Sequence, residues 1–200
     1  VPDGARIGLG FDGSNSQDAT ALVACTEDGH LFVPEVDGRP TIWLRPTDAG
    51  RDWPMPRSSI NAAVEAVFER YSVGRMLCDP PRWQTEIERW AELFGDEVVL
   101  FFDTNQPKRM SAACDRFDSA LAEQTLSHDG NQLLTSHVLA MTRRKAYVKA
   151  DETDGRTRYV FTKGDDGRKI DAGIAAVLAL EAAMTMPAPE ATTPFFAAWA

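Results

Sequence analysis

The sequence lacks the features that define several classes of protein. Its three cysteines, Cys25, Cys78 and Cys114, are widely spaced and form no CxxC pair. This pattern argues against a disulfide framework or a zinc site and is typical of reduced cysteines in a cytosolic protein. The most apolar run, residues 174–184, is interrupted by Glu181 and is too short to span a bilayer. We therefore expect neither a disulfide-stabilised secreted domain nor a membrane protein.

Net positive charge is also missing from the chain as a whole. Asp and Glu number 30 and Lys and Arg number 21, which gives a formal net charge of −9. Bulk charge therefore does not indicate a nucleic-acid-binding protein. The balance is uneven, because residues 140–170 carry nine basic and five acidic residues, a net charge of +4 against −13 elsewhere. A basic strip on an acidic body requires a functional explanation.

The composition that remains is typical of one globular domain. Hydrophobic residues make up 44% of the 200 residues, which is enough to bury a core. Apolar alternation predicts a strand over residues 5–12, and a turn at Asp28-Gly29 predicts a hairpin after it, so a three-stranded antiparallel meander is expected. Helices and strands alternate thereafter. This order predicts an α/β fold with a mixed sheet, three antiparallel strands followed by parallel ones, and helices on both faces.

Start and stop residues give the bounds of the later elements. A helix is predicted to be capped by Ser58 and Ser59 and to end at Gly74. A second hairpin is predicted over residues 146–163, around a turn at Asp154-Gly155. The domain is expected to span residues 1–186, followed by a flexible C-terminal tail over 187–200. The other predicted elements are strands over 74–79 and 97–102 and helices over 83–94, 107–126 and 171–184.

Three acidic residues stand where chemistry is expected. Asp12 closes the first strand, Asp79 closes the first strand after the first helix, and Asp171 opens the last helix. Neighbouring strands lie about 4.8 Å apart, and crowded carboxylates need cations to neutralise them. Hard divalent ions, Mg²⁺ or Mn²⁺, fit such a site, and two of them can promote phosphodiester hydrolysis. Each acid alone also fits a turn or helix-start role, but the three together favour metal binding.

Five collinear strings carry a resemblance to a known family. They resemble the C-terminal nuclease domain of large terminase subunits, the DNA-packaging enzymes of tailed bacteriophages, over nearly the whole chain up to Met186. The resemblance implies an RNase H-like fold and a metal-dependent endonuclease that cuts concatemeric viral double-stranded DNA during genome packaging by two-metal hydrolysis. The strings are GFDGSNSQDATAL (10–22), LCDPPRW (77–83), TNQPKRMSAACDRF (104–117), LSHDGNQLLTSHVLAM (126–141) and KIDAGIAAVLALEAA (169–183).

The resemblance also implies residue roles and partners. Asp12, Asp79 and Asp171 match the family's catalytic, metal-binding triad, and Asp18 matches a further acid that is an auxiliary ligand or supports one. Two divalent ions, Mg²⁺ or Mn²⁺, are the implied cofactors. The chain has no GxxxxGK[ST] motif and starts at Val1, so the family's ATPase motor is expected upstream in the same polypeptide. The portal and the small terminase subunit are further implied partners, in the host cell cytoplasm and without a membrane.

The basic strip supplies the candidate DNA contacts. Arg143, Arg144 and Lys145, with the hairpin that follows, are expected to contact phosphates, which gives affinity without sequence preference. Lys108 and Arg109, beside the TNQ turn, are further candidates, although a solvated helix start explains them equally well. His128 and His137 fit a structural role better than a DNA contact. Ser14 and Ser16 fit either plain turn residues or groups that orient the loop after Asp12.

Other functions fit parts of the same pattern. Residues 12–16, DGSNS, match the DxSxS metal motif of von Willebrand A-like adhesion domains, but that motif must lead into a helix, whereas a hairpin is predicted here. A sugar-kinase-type phosphotransferase needs two such domains. A junction resolvase or a transposase-like enzyme remains an alternative within the RNase H fold.

Overall fold

A computed structural model of the chain describes residues 1–14, 18–50, 52–148, 157–164 and 167–189. The helices are α1 (Arg57–Arg70), α2 (Gln84–Phe94), α3 (Pro107–Ala122), α4 (Gln132–Leu139) and α5 (Asp171–Thr185). The strands are β1 (Arg6–Asp12), β2 (Thr20–Thr26), β3 (His30–Phe32), β4 (Glu35–Val36), β5 (Arg39–Pro40), β6 (Ile42–Trp43), β7 (Ser72–Cys78), β8 (Val99–Phe101), β9 (Ser127–His128), β10 (Met141–Ala146) and β11 (Arg158–Lys163).

The main sheet has the predicted mixture of strand directions. Its strands lie in the order β8-β7-β1-β2-β3-β9, and β6 also pairs with β2. β1, β2 and β3 form the antiparallel meander, whereas β7 runs parallel to β1 and β8 runs parallel to β7. The strand order confirms the α/β, RNase H-like fold class that the sequence predicted.

Two hydrophobic cores cover the two faces of this sheet. Ile7, Leu9 and Phe11 of β1 belong to the core that includes side chains of α1 and α2. The other core is built around α5, with side chains of α3 and α4. Because side chains alternate along a strand, the residues of β1 that face α5 are Gly8, Gly10 and then Asp12.

Close packing of α5 on β1 depends on those two glycines. A Cβ atom at Gly10 would overlap the carbonyl oxygen of Ala175, and one at Gly8 would lie 2.7 Å from the carbonyl carbon of Ala182. The helix backbone therefore lies directly on the strand, and the helix runs antiparallel to it. This direction brings the N-terminus of α5 toward the end of β1 at which Asp12 stands.

The predicted bounds of α1 were wrong at both ends. The helix begins at Arg57, after Pro56, and no side chain caps it, so Ser58 and Ser59 lie in its first turn. It ends at Arg70, and Gly74 lies inside β7. A Cβ atom on Gly74 would lie 2.6 Å from the Met186 sulfur, at the flexible end of a side chain that can move aside. The prediction mistook a glycine inside a strand for a helix stop.

The second hairpin exists but begins earlier than predicted. β10 and β11 pair in antiparallel register from Met141↔Lys163 to Ala146↔Arg158, so the basic residues 143–145 lie within the first strand. The predicted turn at Asp154-Gly155 and residues 190–200 of the predicted tail lie outside the described residues. In the described part of the chain, no helix is long and apolar enough to cross a membrane. The three cysteines are buried and unpaired.

Candidate active site

Asp12 and Asp79 stand side by side at the ends of two paired strands. Phe11 is in register with Cys78, and the Asp79 N–H donates to the Phe11 carbonyl at 3.0 Å. Leu77 packs in the α5 core and Cys78 in the other one, so alternation places Asp79 on the α5 face, as it does Asp12. A backbone N–H of Thr104 donates to the Asp79 carboxylate at 2.9 Å and fixes its orientation.

Asp171 reaches the same region from the helix side. It is the first residue of α5 and only 8% exposed. The backbone N–H groups of Asp171 itself and of Ala19, in the segment that joins β1 to β2, lower the pKa of its carboxyl and partly oppose the effect of burial. Its Oδ2 atom is buried and has no hydrogen-bond partner among the described residues. A buried carboxylate oxygen without a donor is costly, and a cation would satisfy it.

The carboxylates in this region repel one another. Burial raises the pKa of Asp12 well above its ordinary value, and the charges of Asp171, Asp79 and Asp18 raise it further. Burial also raises the pKa of Asp79 and of Asp171. Repulsion between these buried acids disfavours their charged forms, and a bound cation would relieve that repulsion. Among the described residues, however, no group of three His, Cys, Asp or Glu side chains is close enough to hold a metal ion as it stands.

The segment between β1 and β2 is held by Ser14. The Asp18 N–H donates to the Ser14 hydroxyl at 3.2 Å, and the Ser14 N–H donates to the buried Thr20 hydroxyl at 3.0 Å. The Trp83 indole N–H donates to the Ser14 carbonyl oxygen at 3.2 Å. Ser14 therefore orients the segment that carries Asp18, whereas Ser16 lies outside the described residues. This segment leads into β2, so the topology excludes the adhesion-type alternative.

Lys163 is a basic residue in contact with the acidic region, the name used here for Asp12, Asp18, Asp79 and Asp171. Its ammonium group forms an ion pair with the Asp18 carboxylate. Its charge also lowers the pKa of Asp12 and of Asp171, opposing the effect of burial. Lys163 ends β11, so this contact joins the basic hairpin to the acidic region.

His137 has a structural role beneath Asp171, as the sequence favoured. It is 5% exposed, and its Nδ1 atom accepts the backbone N–H of Ala172 at 3.0 Å. Burial, together with the charges of Lys169 and Lys163, lowers the pKa of His137 to about 4. The neutral ring thus binds an N–H group of the first turn of α5, which no N-cap side chain satisfies. His128, by contrast, lies in the edge strand β9.

The three consecutive basic residues of β10 have different surroundings. Arg143 forms an ion pair with Asp118 of α3 at 2.9 Å, which raises the Arg143 pKa. Arg144 and Lys145 line a cavity of about 440 Å³ between the hairpin and the segment that contains Thr104 and Asn105. Since Thr104 binds Asp79, this cavity lies next to the acidic region.

The other two basic candidates lie at the start of α3. The Arg109 guanidinium lies 4.1 Å from the centre of the Phe102 ring and donates to the Phe101 carbonyl oxygen at 3.1 Å. Lys108 precedes it in the first turn of the helix. Arg109 is therefore tied to β8 and the segment after it, which makes it a weaker candidate for DNA contact than Arg144.

Sequence reasoning missed two neighbours of the carboxylates. Lys163 was counted only as part of the basic strip, because its partner lies 145 positions away. Asp103 follows β8, and its charge raises the pKa of Asp79. Asp12 and Asp79 were singled out because each is an acid at the carboxyl end of a strand. The same rule applied to β8, the third parallel strand, would have identified Asp103.

Solved structures share this fold. The large terminase nuclease of thermophilic phage G20c with bound magnesium superposes with a TM-score of 0.61 at 11% identity, covering 90% of this chain and 85% of that one. The HK97 bacteriophage large terminase superposes with a TM-score of 0.63 at 20% identity, over 90% of this chain and 40% of that one. The chain has the fold of a large terminase nuclease domain.

A protein of similar sequence comes from a phage. The Gene 13 protein of Mycobacterium phage D29 is 34% identical over 189 residues, which are 90% of this chain. The chain spans 29% of the length of that relative. No family model matches the chain.

Proposed function

We propose that this chain is a metal-dependent endonuclease domain that cuts concatemeric viral double-stranded DNA during genome packaging. One observation carries the proposal. Asp12, Asp79 and Asp171, from two neighbouring strand ends and one helix start, are directed to the same face and end of a terminase-type sheet. The G20c nuclease with this fold has been crystallised with bound magnesium and with bound cobalt, which supports divalent metal use.

The residues present fit a divalent cation. The candidate ligands offer only carboxylate oxygens, the ligand type that Mg²⁺ and Mn²⁺ prefer. Asp171 presents a buried oxygen without a donor, and Asp12 is crowded by three other carboxylates. Asp12, Asp79 and Asp171 would hold the cations, with Asp18 as an auxiliary ligand. When bound, two such ions supply the Lewis acidity that activates water and stabilises the leaving oxygen of a phosphodiester.

Other groups of the chain hold the proposed ligands in position. The Thr104 N–H holds the Asp79 carboxylate in place, and His137 fixes the first turn of α5 below Asp171. No protein nucleophile is required, and the buried cysteines have raised thiol pKa values that make them unreactive. The chemistry proposed for this domain is therefore direct hydrolysis.

The DNA backbone is proposed to follow the cavity beside Asp79. Arg144 and Lys145 line it, and the nearby Tyr147 is 87% exposed. Arg143, Lys108 and Arg109 would add phosphate contacts at its margins. Since these groups contact phosphates rather than base edges, cleavage is expected to show little sequence preference and strong salt dependence. The acidic remainder of the chain makes such binding weak, so another part of the packaging machinery would deliver the DNA.

The wider assembly belongs to the proposal as well. An ATPase motor in the same polypeptide, the portal and the small terminase subunit are the proposed partners, in the cytoplasm of the host cell. A junction resolvase or a transposase-like enzyme would use the same carboxylates. The products separate these alternatives, since a packaging nuclease linearises ordinary duplex DNA without requiring a branched substrate.

Plasmid cleavage tests the proposal directly. Wild-type protein, Asp12→Ala and Asp171→Ala are compared in EDTA, Mg²⁺ and Mn²⁺, with Asp3→Ala as a matched control. Asp3 pairs with Arg70 at the surface, at the opposite end of β1 from Asp12. We expect cation-dependent nicking and linearisation, lost by at least ~10³-fold in the two site variants and kept in the control. Cleavage in EDTA, or full activity of either site variant, contradicts the proposal.

A further inference from the structure

The contact between Lys163 and Asp18 places a positive charge where the proposed function requires divalent cations. Lys163 is the last residue of β11, and its partner belongs to the short segment between β1 and β2. Both side chains are partly exposed, 37% for Lys163 and 46% for Asp18, so solvent and ions reach the pair.

The position of Lys163 is set by packing that does not depend on the ion pair. Phe161, two residues earlier on β11, packs edge-to-face on Phe117 of α3 with ring centres 6.1 Å apart. Lys163 is also in register with Met141, whose sulfur lies against Gly173 of α5. The base of the hairpin is thus attached to two helices, and the ammonium group at its end is held close to the acidic region.

Its charge acts on more than its direct partner. The ammonium lowers the pKa of both Asp12 and Asp171, in addition to pairing with Asp18. An ammonium and a divalent cation are attracted by the same negative potential and repel each other. Binding of one therefore weakens binding of the other by the same factor, as linkage requires.

We propose that Lys163 is a resident counter-ion of the acidic region, which divalent cations displace from Asp18 and which then contacts a phosphate of the DNA strand. The inference rests on the proposed function and extends it. Before cations bind, Lys163 neutralises part of the carboxylate repulsion and keeps the basic hairpin on the site. After they bind, its long flexible stem allows the ammonium to leave Asp18 without moving the strand.

Mn²⁺ calorimetry tests the first half of the inference without any cleavage. Lys163→Gln removes the charge and Lys163→Arg keeps it, while Arg89→Gln removes a surface charge that pairs with Glu65. We expect Lys163→Gln to bind Mn²⁺ about 3–10-fold more tightly than wild type, since a repelling charge is gone. Lys163→Arg and Arg89→Gln are expected to match wild type. Equal Mn²⁺ affinity in Lys163→Gln overturns the counter-ion role.

Plasmid cleavage at saturating Mn²⁺ tests the second half. Lys163→Gln is expected to raise KM for DNA about 3–10-fold and to reduce the salt dependence of KM by about one phosphate contact. An unchanged KM and salt dependence, despite tighter Mn²⁺ binding, overturns the phosphate contact. Folding of each variant is checked by its thermal melting in Mn²⁺.

The outcomes also separate this inference from the proposed function. If wild-type protein binds no Mn²⁺ and cuts no DNA, the proposed function fails and the inference fails with it. If wild type binds Mn²⁺ and cuts DNA while Lys163→Gln behaves identically, the function stands and only the inference is overturned.

Discussion

The two faces of the central sheet are packed in opposite ways. On one face, large side chains fill the space below α1 and α2, and the rings of Phe11, Trp83 and Trp90 contact one another edge-to-face or stacked. On the other, Gly8 and Gly10 let the backbone of α5 lie against β1. Both faces are buried. On the first face large side chains lie between the helices and the strands, whereas on the second the helix backbone contacts the strand backbone.

The difference explains why the candidate site lies on the α5 face. A layer of aromatic side chains can adjust by small rotations. A helix in backbone contact with a strand has little freedom to slide, because its atoms meet backbone rather than flexible side chains. Asp171, the first residue of this helix, is therefore held at a fixed position along β1 relative to Asp12. We infer that small residues on this face position the carboxylates.

The largest expected effect comes from filling the glycine contact. Gly10→Ala puts a Cβ atom into the Ala175 carbonyl oxygen, so α5 must shift. We expect a loss of about 3 kcal/mol or more in the free energy of unfolding, measured by urea denaturation. Mn²⁺ affinity, measured by calorimetry on the folded fraction, is expected to fall at least tenfold, because Asp171 moves with the helix.

The matched change on the other face is Trp90→Leu. It removes a fully buried ring and its indole hydrogen bond to Asn61, at a cost of about 3 kcal/mol. Mn²⁺ affinity is expected to stay within about twofold of wild type. Equal losses of Mn²⁺ affinity in the two variants would show that general loosening, and not the glycine contact, controls the site.

Much of this arrangement follows from sequence pattern. Alternation along β1 predicts the faces of Gly10 and Asp12, and strand ends predict that Asp12 and Asp79 are neighbours. The rest depends on tertiary contacts between distant segments. The Lys163–Asp18 pair joins residues 145 positions apart. His137 accepts a backbone N–H, and since every residue except proline has such a group, the sequence does not mark the partner. Gly74 misled the helix prediction because, in the sequence, a glycine inside a strand looks the same as one that ends a helix.

A smaller effect is expected from the ring that supports the first turn of α5. His137→Leu removes the acceptor of the Ala172 N–H, which should cost about 1–2 kcal/mol and weaken Mn²⁺ binding several-fold. His137→Asn keeps an acceptor oxygen close to the position of Nδ1 and is expected to restore most of both. If the Asn variant is as impaired as the Leu variant, the hydrogen bond is not the reason.

His137 also makes the free energy of unfolding depend on pH, and the lowered pKa fixes the sign of that dependence. The folded-state pKa of His137 is lowered from 6.5 to about 4, so the unfolded chain binds more protons between these values. The stability contributed by the neutral ring is present above pH 6.5 and is lost as the pH falls toward 4. His137→Asn is expected to remove this part of the loss, which urea denaturation across that range would detect.

The smallest expected effect has the opposite sign and distinguishes a functional face from a merely structural one. The raised pKa of Asp12 means that the folded protein holds this proton more tightly than the unfolded chain, so ionisation of Asp12 costs stability as the pH rises above 3.8. In EDTA at pH 7, Asp12→Asn should therefore raise the melting temperature by about 2–4 °C, the shift that ~1 kcal/mol gives at this size. Asp3→Asn should leave it unchanged.

Mn²⁺ should stabilise wild type and fail to stabilise Asp12→Asn. A lower melting temperature for Asp12→Asn in EDTA would mean that Lys163 already compensates the carboxylate fully, and that the α5 face carries no stored repulsion for a cation to relieve.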